Sequence, residues 1–150
     1  MTYLNYLETE LGCLAIAASD KGLTNVRFVD NVAEPELNNH IVQLAKRQLT
    51  EYFQGKRQHF DLPLSPSGTD FQQQVWTQLQ HIAYGQTASY QQIADNIANP
   101  KAVRAVGAAN GKNPIAIIIP CHRIIGKNGT LTGYAGGLSR KAWLLDLEHT

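Results

Sequence analysis

Residues Leu62-Pro63-Leu64-Ser65-Pro66-Ser67-Gly68 break every hydrophobic period in the chain and divide it into halves of different local character. Proline fixes φ and removes a backbone donor, so neither a helix nor a central strand continues through such a stretch. It reads as a linker. Ahead of it, Tyr3 to Leu7, Leu14 to Ala18 and Leu23 to Val29 have strand character, with Ser19-Asp20-Lys21-Gly22 supplying the turn between the last two. Asn38 or Asn39 then caps an amphipathic helix whose apolar residues Ile41, Leu44, Ala45, Leu49, Tyr52 and Phe53 recur at helical spacing until Gly55. The expected fold class is α+β: a small N-terminal sheet and helix, residues 1–66, packed on a mainly helical part, residues 67–150.

The second half is punctuated by helix starts. Thr69 with Gln72, and Ser89 with Gln92, each match a capping box. The first predicts a helix carrying Phe71, Val75, Leu79 and Ile82 and ending near Gly85; the second opens a short helix with Ile93, Ala94 and Ile97. Asn99-Pro100 places an N-cap and an N1 proline before a further helix, Lys101 to Ala109, that stops by Gly111. Two short helices and a tight turn make a helix-turn-helix candidate, although a pair of core helices joined by a turn is the more common arrangement. The second of them is rich in small residues and carries Arg104, which suits close approach to a groove. A last helix is expected from about Leu138 to Glu148, anchored by Leu138, Ala142, Trp143 and Leu145.

No run approaches the roughly 18 apolar residues that span a bilayer, and the N-terminus lacks a basic region with an apolar signal core, so no membrane and a cytoplasmic location are expected. Cys13 and Cys121 are the only cysteines, so no disulfide framework is expected and a four-cysteine zinc site is excluded; the histidines fall in no metal-ligand spacing, so neither metal nor cofactor is expected. Charge is uneven along the chain. Residues 1–85 hold six Lys or Arg against nine acids, a sum of −3, and residues 86–150 hold seven against three, a sum of +4. A positive half fits a polyanionic partner, and also a solvated surface with scattered lysines.

That positive half contains Pro120-Cys121-His122-Arg123, directly after the apolar, strand-like run Ile115 to Ile119. A thiol beside an imidazole and a guanidinium is suited to forming a thiolate, the nucleophilic form, which is a minor species at neutral pH for a free thiol of pKa about 8.5. A buried cysteine is more often a small apolar side chain. His and Arg, however, have no packing reason to follow a core strand. Cys13, in Gly12-Cys13-Leu14-Ala15, has no charged sequence neighbour to activate it and reads as core.

Ile119-Pro120-Cys121-His122-Arg123-Ile124, with Arg104-Ala105-Val106-Gly107 and Asn113-Pro114 upstream and Tyr134-Ala135-Gly136-Gly137-Leu138 downstream, closely resembles the O6-alkylguanine-DNA alkyltransferases. The resemblance is strong over residues 67–150 and looser before them. It implies a ribonuclease H-like N-terminal subdomain and a winged-helix-like DNA-binding and alkyl-acceptor domain. It implies direct-reversal repair: one irreversible transfer of an alkyl group from O6 of guanine, less readily O4 of thymine, to Cys121. His122 would take the thiol proton through a water, Glu148 would orient the imidazole, and Tyr90 would donate to the leaving purine. Asn113 would act as a hinge and Arg123 as a structural tie that also favours the thiolate. Arg104 would replace a flipped nucleotide while Ala102, Ala105 and Gly107 face the minor groove, and Tyr134, Ala135 and Gly136 would wall the pocket. Many family members have serine at the Ala135 position, which leaves backbone contacts there, and Val103 is bulkier than the alanine often found in its place. The partner implied is double-stranded DNA carrying the lesion, bound by a monomer.

Two rival readings differ in chemistry. Alkyltransferase-like proteins bind the lesion without transfer, but they replace the acceptor cysteine. A Cys-His hydrolase would use the same nucleophile and base, and the Arg104 helix has no place in it.

Overall fold

In the computed structural model, which describes all 150 residues, the chain forms two compact units, Met1–Ser67 and Gly68–Thr150. In the first, strands Tyr3–Thr9 (β1), Gly12–Ala18 (β2) and Leu23–Val29 (β3) form an antiparallel sheet in the order β1-β2-β3. The register pairs Thr9 with Gly12 across a tight hairpin, and it shifts at Ala17/Ala18. Helix His40–Phe53 (α1), capped by the Asn39 side chain, lies across β1 and β2 and buries Val42, Ala45, Leu49 and Tyr52 against Leu14, Ile16 and Ala18 of the core. Gln48 is buried on the same face, and its amide both donates to the Asp61 carbonyl at 3.1 Å and accepts from the Asp61 amide at 2.9 Å. A buried amide needs such partners.

The stretch expected to be a linker is partly structured. The Leu23 amide donates to the Pro63 carbonyl at 2.8 Å and the Ser65 amide to the Leu23 carbonyl at 2.7 Å, so Leu64 forms a parallel bridge to the start of β3. Proline at an edge position keeps a free carbonyl, which the neighbouring strand uses.

The second unit carries helices Asp70–Leu79 (α2), Tyr90–Asn96 (α3), Val103–Gly111 (α4) and Leu138–His149 (α5). Strands Ala88–Ser89 (β4) and Ile124–Ile125 (β5) pair in parallel. Both capping boxes form, at Thr69/Gln72 and Ser89/Gln92. α4 packs on α2 and α3, and the Trp76 indole donates to the Ala109 carbonyl at 2.8 Å. Gly68 is required at its position: a Cβ there would lie 2.5 Å from the Trp76 ring.

Three elements differ from the sequence expectation. α2 ends at Leu79, six residues before Gly85, because His81 and Ile82 bond back three residues and tighten the helix shut. α4 begins at Val103 with Ala102 as an N-cap lacking a side-chain bond. Asn99 closes α3 instead: its amide bonds the Ala94 carbonyl while the Ala98 amide, at φ +58°, bonds that of Asp95, a Schellman arrangement. Ile115 to Ile119 is not a strand but a coiled loop, with the Ile119 amide on the Ile115 carbonyl and β-branched Ile117 held at φ +72°. An apolar run without alternation is compatible with any fully buried backbone shape.

Candidate active site

Asn113 shapes the loop that carries the cysteine. Its Oδ1 accepts from the Ile115 amide at 3.0 Å and its Nδ2 donates to the Ile119 carbonyl at 2.8 Å, clasping both ends of the turn. The chain then passes through Pro120 into one 3-10 turn, Cys121–Arg123, whose three side chains are all buried. Left-handed Ile117 costs on the order of 1–3 kcal/mol locally, and the Asn113 clasp is what holds it.

His122 has no exposed surface, and its Nε2 lies 2.7 Å from Glu148 Oε2. An ionised carboxylate only accepts, so Nε2 carries the hydrogen and Nδ1 keeps a bare lone pair. Nδ1 has no protein partner. Arg123 grips the same carboxylate with two bonds, Nε to Oε1 at 2.8 Å and Nη2 to Oε2 at 3.0 Å, and donates through Nη1 to the Ile82 carbonyl at 2.7 Å. Its guanidinium carbon also lies 5.7 Å from the centroid of the Tyr84 ring. The early end of α2 is what presents the Ile82 carbonyl to this arginine.

Burial dominates the electrostatics. It pushes the Cys121 thiol up, while the Asn113 amide and the Lys141 ammonium pull the other way. It also pushes His122 below the usual imidazole range, against the opposing pull of Glu148. The resting pair is therefore thiol and neutral imidazole. Arg123, expected both to tie the segment down and to favour the thiolate, has its guanidinium paired with Glu148, and Lys141 is the cation that draws the Cys121 thiol toward its ionised form.

Tyr90 opens α3 with its hydroxyl 2.9 Å from Thr132 Oγ1. The Tyr134 hydroxyl is buried without a partner and, buried near Cys121, its pKa is raised. Ala135 is exposed, and the Gly136 carbonyl accepts from Arg140 Nη1 at 3.1 Å. On α4, Arg104 and Ala105 are exposed and Ala102 is half-buried. Gly107 turns inward, where an added Cβ would lie 3.8 Å from the Tyr90 ring. Cys13 pairs across the sheet with Glu8, which together with burial pushes its thiol up. Sequence neighbours could not reveal that contact.

The structure thus brings Cys121, His122, Arg123 and Glu148 together, with Asn113 beside them. Sequence reasoning missed Lys141 and Thr132. Of the apolar anchors expected for the last helix, Leu145 is buried and Ala142 and Trp143 are half-buried, but Leu138 is exposed, and the buried face also holds Lys141, Leu144 and Glu148. The spacing Lys141 to Glu148, two helical turns, was the available signal.

No helix is long and apolar enough to cross a membrane. Residues 70–150 match the DNA-binding domain of 6-O-methylguanine DNA methyltransferase, and residues 2–66 match the ribonuclease-like domain of the same protein. A methylated-DNA–protein-cysteine methyltransferase of Methanosarcina acetivorans is 48% identical over 97% of each chain. The constitutive methyltransferase of that name in Bacillus subtilis is 46% identical over 99% of this chain and 96% of its own. The crystal structure of Mycobacterium tuberculosis O6-methylguanine methyltransferase superposes with a TM-score of 0.90 at 47% identity, covering 99% of this chain and 93% of that one. The structure of Mycobacterium tuberculosis OGT in complex with DNA gives 0.88 at 47% identity over 96% and 91%. With both halves matched in order over almost the whole length, and with a buried cysteine beside a His-Glu pair, the chain belongs to the 6-O-methylguanine DNA methyltransferase family.

Proposed function

We propose that this protein repairs alkylated DNA by direct reversal, moving a methyl or other alkyl group from O6 of guanine, and less readily O4 of thymine, to Cys121 in a single irreversible turnover. The observation that carries the proposal is the Cys121-His122-Glu148 constellation, in which a thiol stands next to a buried imidazole whose tautomer is fixed by a carboxylate 2.7 Å away. His122 takes the thiol proton at Nδ1 through one bridging water, since buried polar atoms are ordinarily satisfied by water where protein offers none. The thiolate then attacks the alkyl carbon in line: the Sγ–C bond forms, the C–O6 bond breaks, and the electron pair passes to the purine. Tyr90 donates its hydroxyl hydrogen to that developing charge. A thioether is no longer nucleophilic, so the molecule acts once.

Residues 1–66 serve as the ribonuclease H-like subdomain, and residues 67–150 bind DNA and accept the alkyl group. α4 lies in the minor groove through Ala102, Ala105 and the neighbourhood of Gly107, and Arg104 fills the place of the flipped nucleotide. The exposure of Arg104 and Ala105 supports this. A minor-groove approach suits inspection of any sequence, because that groove carries a degenerate code. Tyr134, Ala135 and Gly136 wall the base pocket, Asn113 holds the cysteine loop in shape, and Arg123 ties it to α5. The protein works as a cytoplasmic monomer.

Duplex DNA with a radiolabelled O6-methylguanine tests the proposal. Label is expected on the peptide containing Cys121, at one equivalent per protein, and to vanish with Cys121→Ser. Repeated turnover, label on Cys13, or binding without transfer would overturn it; the last outcome would favour a lesion-binding protein.

A further inference from the structure

Lys141 is fully buried on α5, with no exposed surface. It has no carboxylate partner; its ammonium donates to the Thr132 carbonyl at 2.6 Å. A buried ammonium held by one carbonyl is costly unless negative charge lies nearby. Glu148, two turns along the same buried face, is taken by Arg123 and His122. With neutral His122, the buried groups carry two cations, Arg123 and Lys141, against the single carboxylate of Glu148. The resting cluster thus lacks one negative charge, which the Cys121 thiolate would supply once the thiol proton has left the cluster.

We propose that Lys141 is the counter-ion of the Cys121 thiolate, a positioning residue that balances the charge the acceptor takes on and that ties the acceptor to the purine side of the pocket through Thr132. The proposal rests on Cys121 being the alkyl acceptor. It also divides labour within the site: His122 moves the proton, and Lys141 stabilises the charge left behind. The second half of the proposal follows from Thr132, whose carbonyl takes the Lys141 hydrogen while its Oγ1 meets the Tyr90 hydroxyl at 2.9 Å. One residue thereby links the nucleophile's counter-ion to the group that meets the leaving base. Burial pushes the Lys141 ammonium down and the Cys121 thiol up, both toward their neutral forms, and the charge of each pulls the other back toward its charged form. The other titratable groups facing this pair are His122 and Arg123 of the 3-10 turn, Glu148 and Arg140 of α5, and Tyr134 of the preceding loop. Arg123 is neutralised by Glu148, and Arg140 Nη1 is bonded to the Gly136 carbonyl at 3.1 Å, so Lys141 is the cation left for the sulfur.

The test is the pH profile of Cys121 carboxamidomethylation by iodoacetamide, followed by peptide mass on the full-length protein, which reads thiolate formation without DNA or alkyl transfer. Lys141→Met is expected to move the midpoint upward by about one pH unit or more, lowering the rate about tenfold at a pH below both midpoints, and to reach the wild-type plateau at high pH. Lys141→Arg is expected to keep the midpoint. A lower plateau with an unmoved midpoint would overturn the proposal and leave Lys141 a packing residue. Should Lys141→Met not fold, 15N-lysine NMR of the wild-type protein decides: the Lys141 Nζ signal is expected to shift as Cys121 ionises and to lose that step in Cys121→Ser. An Nζ signal indifferent to Cys121 would overturn it. Failure of DNA transfer with a normal iodoacetamide profile would instead count against the acceptor function alone.

Discussion

Arg123 and Glu148 meet through both carboxylate oxygens, at 2.8 and 3.0 Å, inside a site where neither side chain is appreciably exposed. This pair anchors the cysteine turn to the last helix, and the same carboxylate holds His122. Glu148→Gln keeps the shape but leaves Arg123 buried without its charge partner. The expected loss is about 3–5 kcal/mol of stability, measured by urea denaturation, together with slowed transfer. The double variant Arg123→Met, Glu148→Leu is expected to recover much of the stability and none of the transfer rate. Recovery of both would mean that the carboxylate serves packing only.

His122 gives the protein a pH signature. Its folded value lies below the ordinary imidazole pKa of about 6.5, chiefly through burial. Below that pH the unfolded chain takes up a proton here and the folded protein does not. The unfolded state then binds more protons, so stability rises with pH across this window. The His122 contribution is therefore fully present above about pH 6.5 and is lost as pH falls toward the depressed folded value, with a slope of up to about 1.4 kcal/mol per unit. Denaturation midpoints between pH 5 and 8 are expected to show this slope and to flatten in His122→Gln. An equally steep slope in the variant would assign the effect elsewhere.

Tyr90 separates chemistry from fold. Its hydroxyl has one protein contact, Thr132 Oγ1 at 2.9 Å, so Tyr90→Phe is expected to cost about 1 kcal/mol of stability. Single-turnover transfer is expected to fall about 10²–10³-fold, as when one donor to a developing charge is removed. Thr132→Val leaves the tyrosine hydroxyl in place but unanchored, and a smaller loss is expected. Equal losses in both would show that the hydroxyl orients the pocket without serving the purine.

Much of this site was legible because its chemistry is local. Cys121, His122 and Arg123 are adjacent, and both capping boxes fall where side-chain oxygens meet orphan amides, which needs no tertiary information. The failures are places where a distant group decides. Ile115 to Ile119 reads as a strand until Asn113 is seen to bond both of its ends. Asn99 reads as the cap of α4 until its amide is seen to close α3. Lys141 reads as solvent-facing because a lysine on a helix ordinarily faces water; its two-turn spacing from Glu148 hints at a shared face, and packing shows that this face is buried. The structural duty expected of Arg123 is legible from its place in the cysteine motif, but its partner is not, because the Glu148 carboxylate lies 25 residues away.

Arg104 carries the last prediction, which distinguishes base flipping from plain attraction to DNA. It is exposed on α4, with Lys112 exposed just past the end of that helix. If Arg104 fills the stack vacated by the lesion, Arg104→Ala removes help with an extrusion that costs a few kcal/mol. Transfer from duplex O6-methylguanine is then expected to slow about 10–100-fold, a change of about 1.4–2.7 kcal/mol in barrier. Reaction with the free alkylated base, which needs no extrusion, is expected to proceed at the wild-type rate. Because a stacked guanidinium releases no counterion from a phosphate, the salt slope of DNA binding is expected to stay unchanged, whereas Lys112→Ala is expected to reduce it by about one. Equal slowing on free base and duplex would remove Arg104 from the extrusion step, and a reduced salt slope in Arg104→Ala would make it a phosphate contact instead.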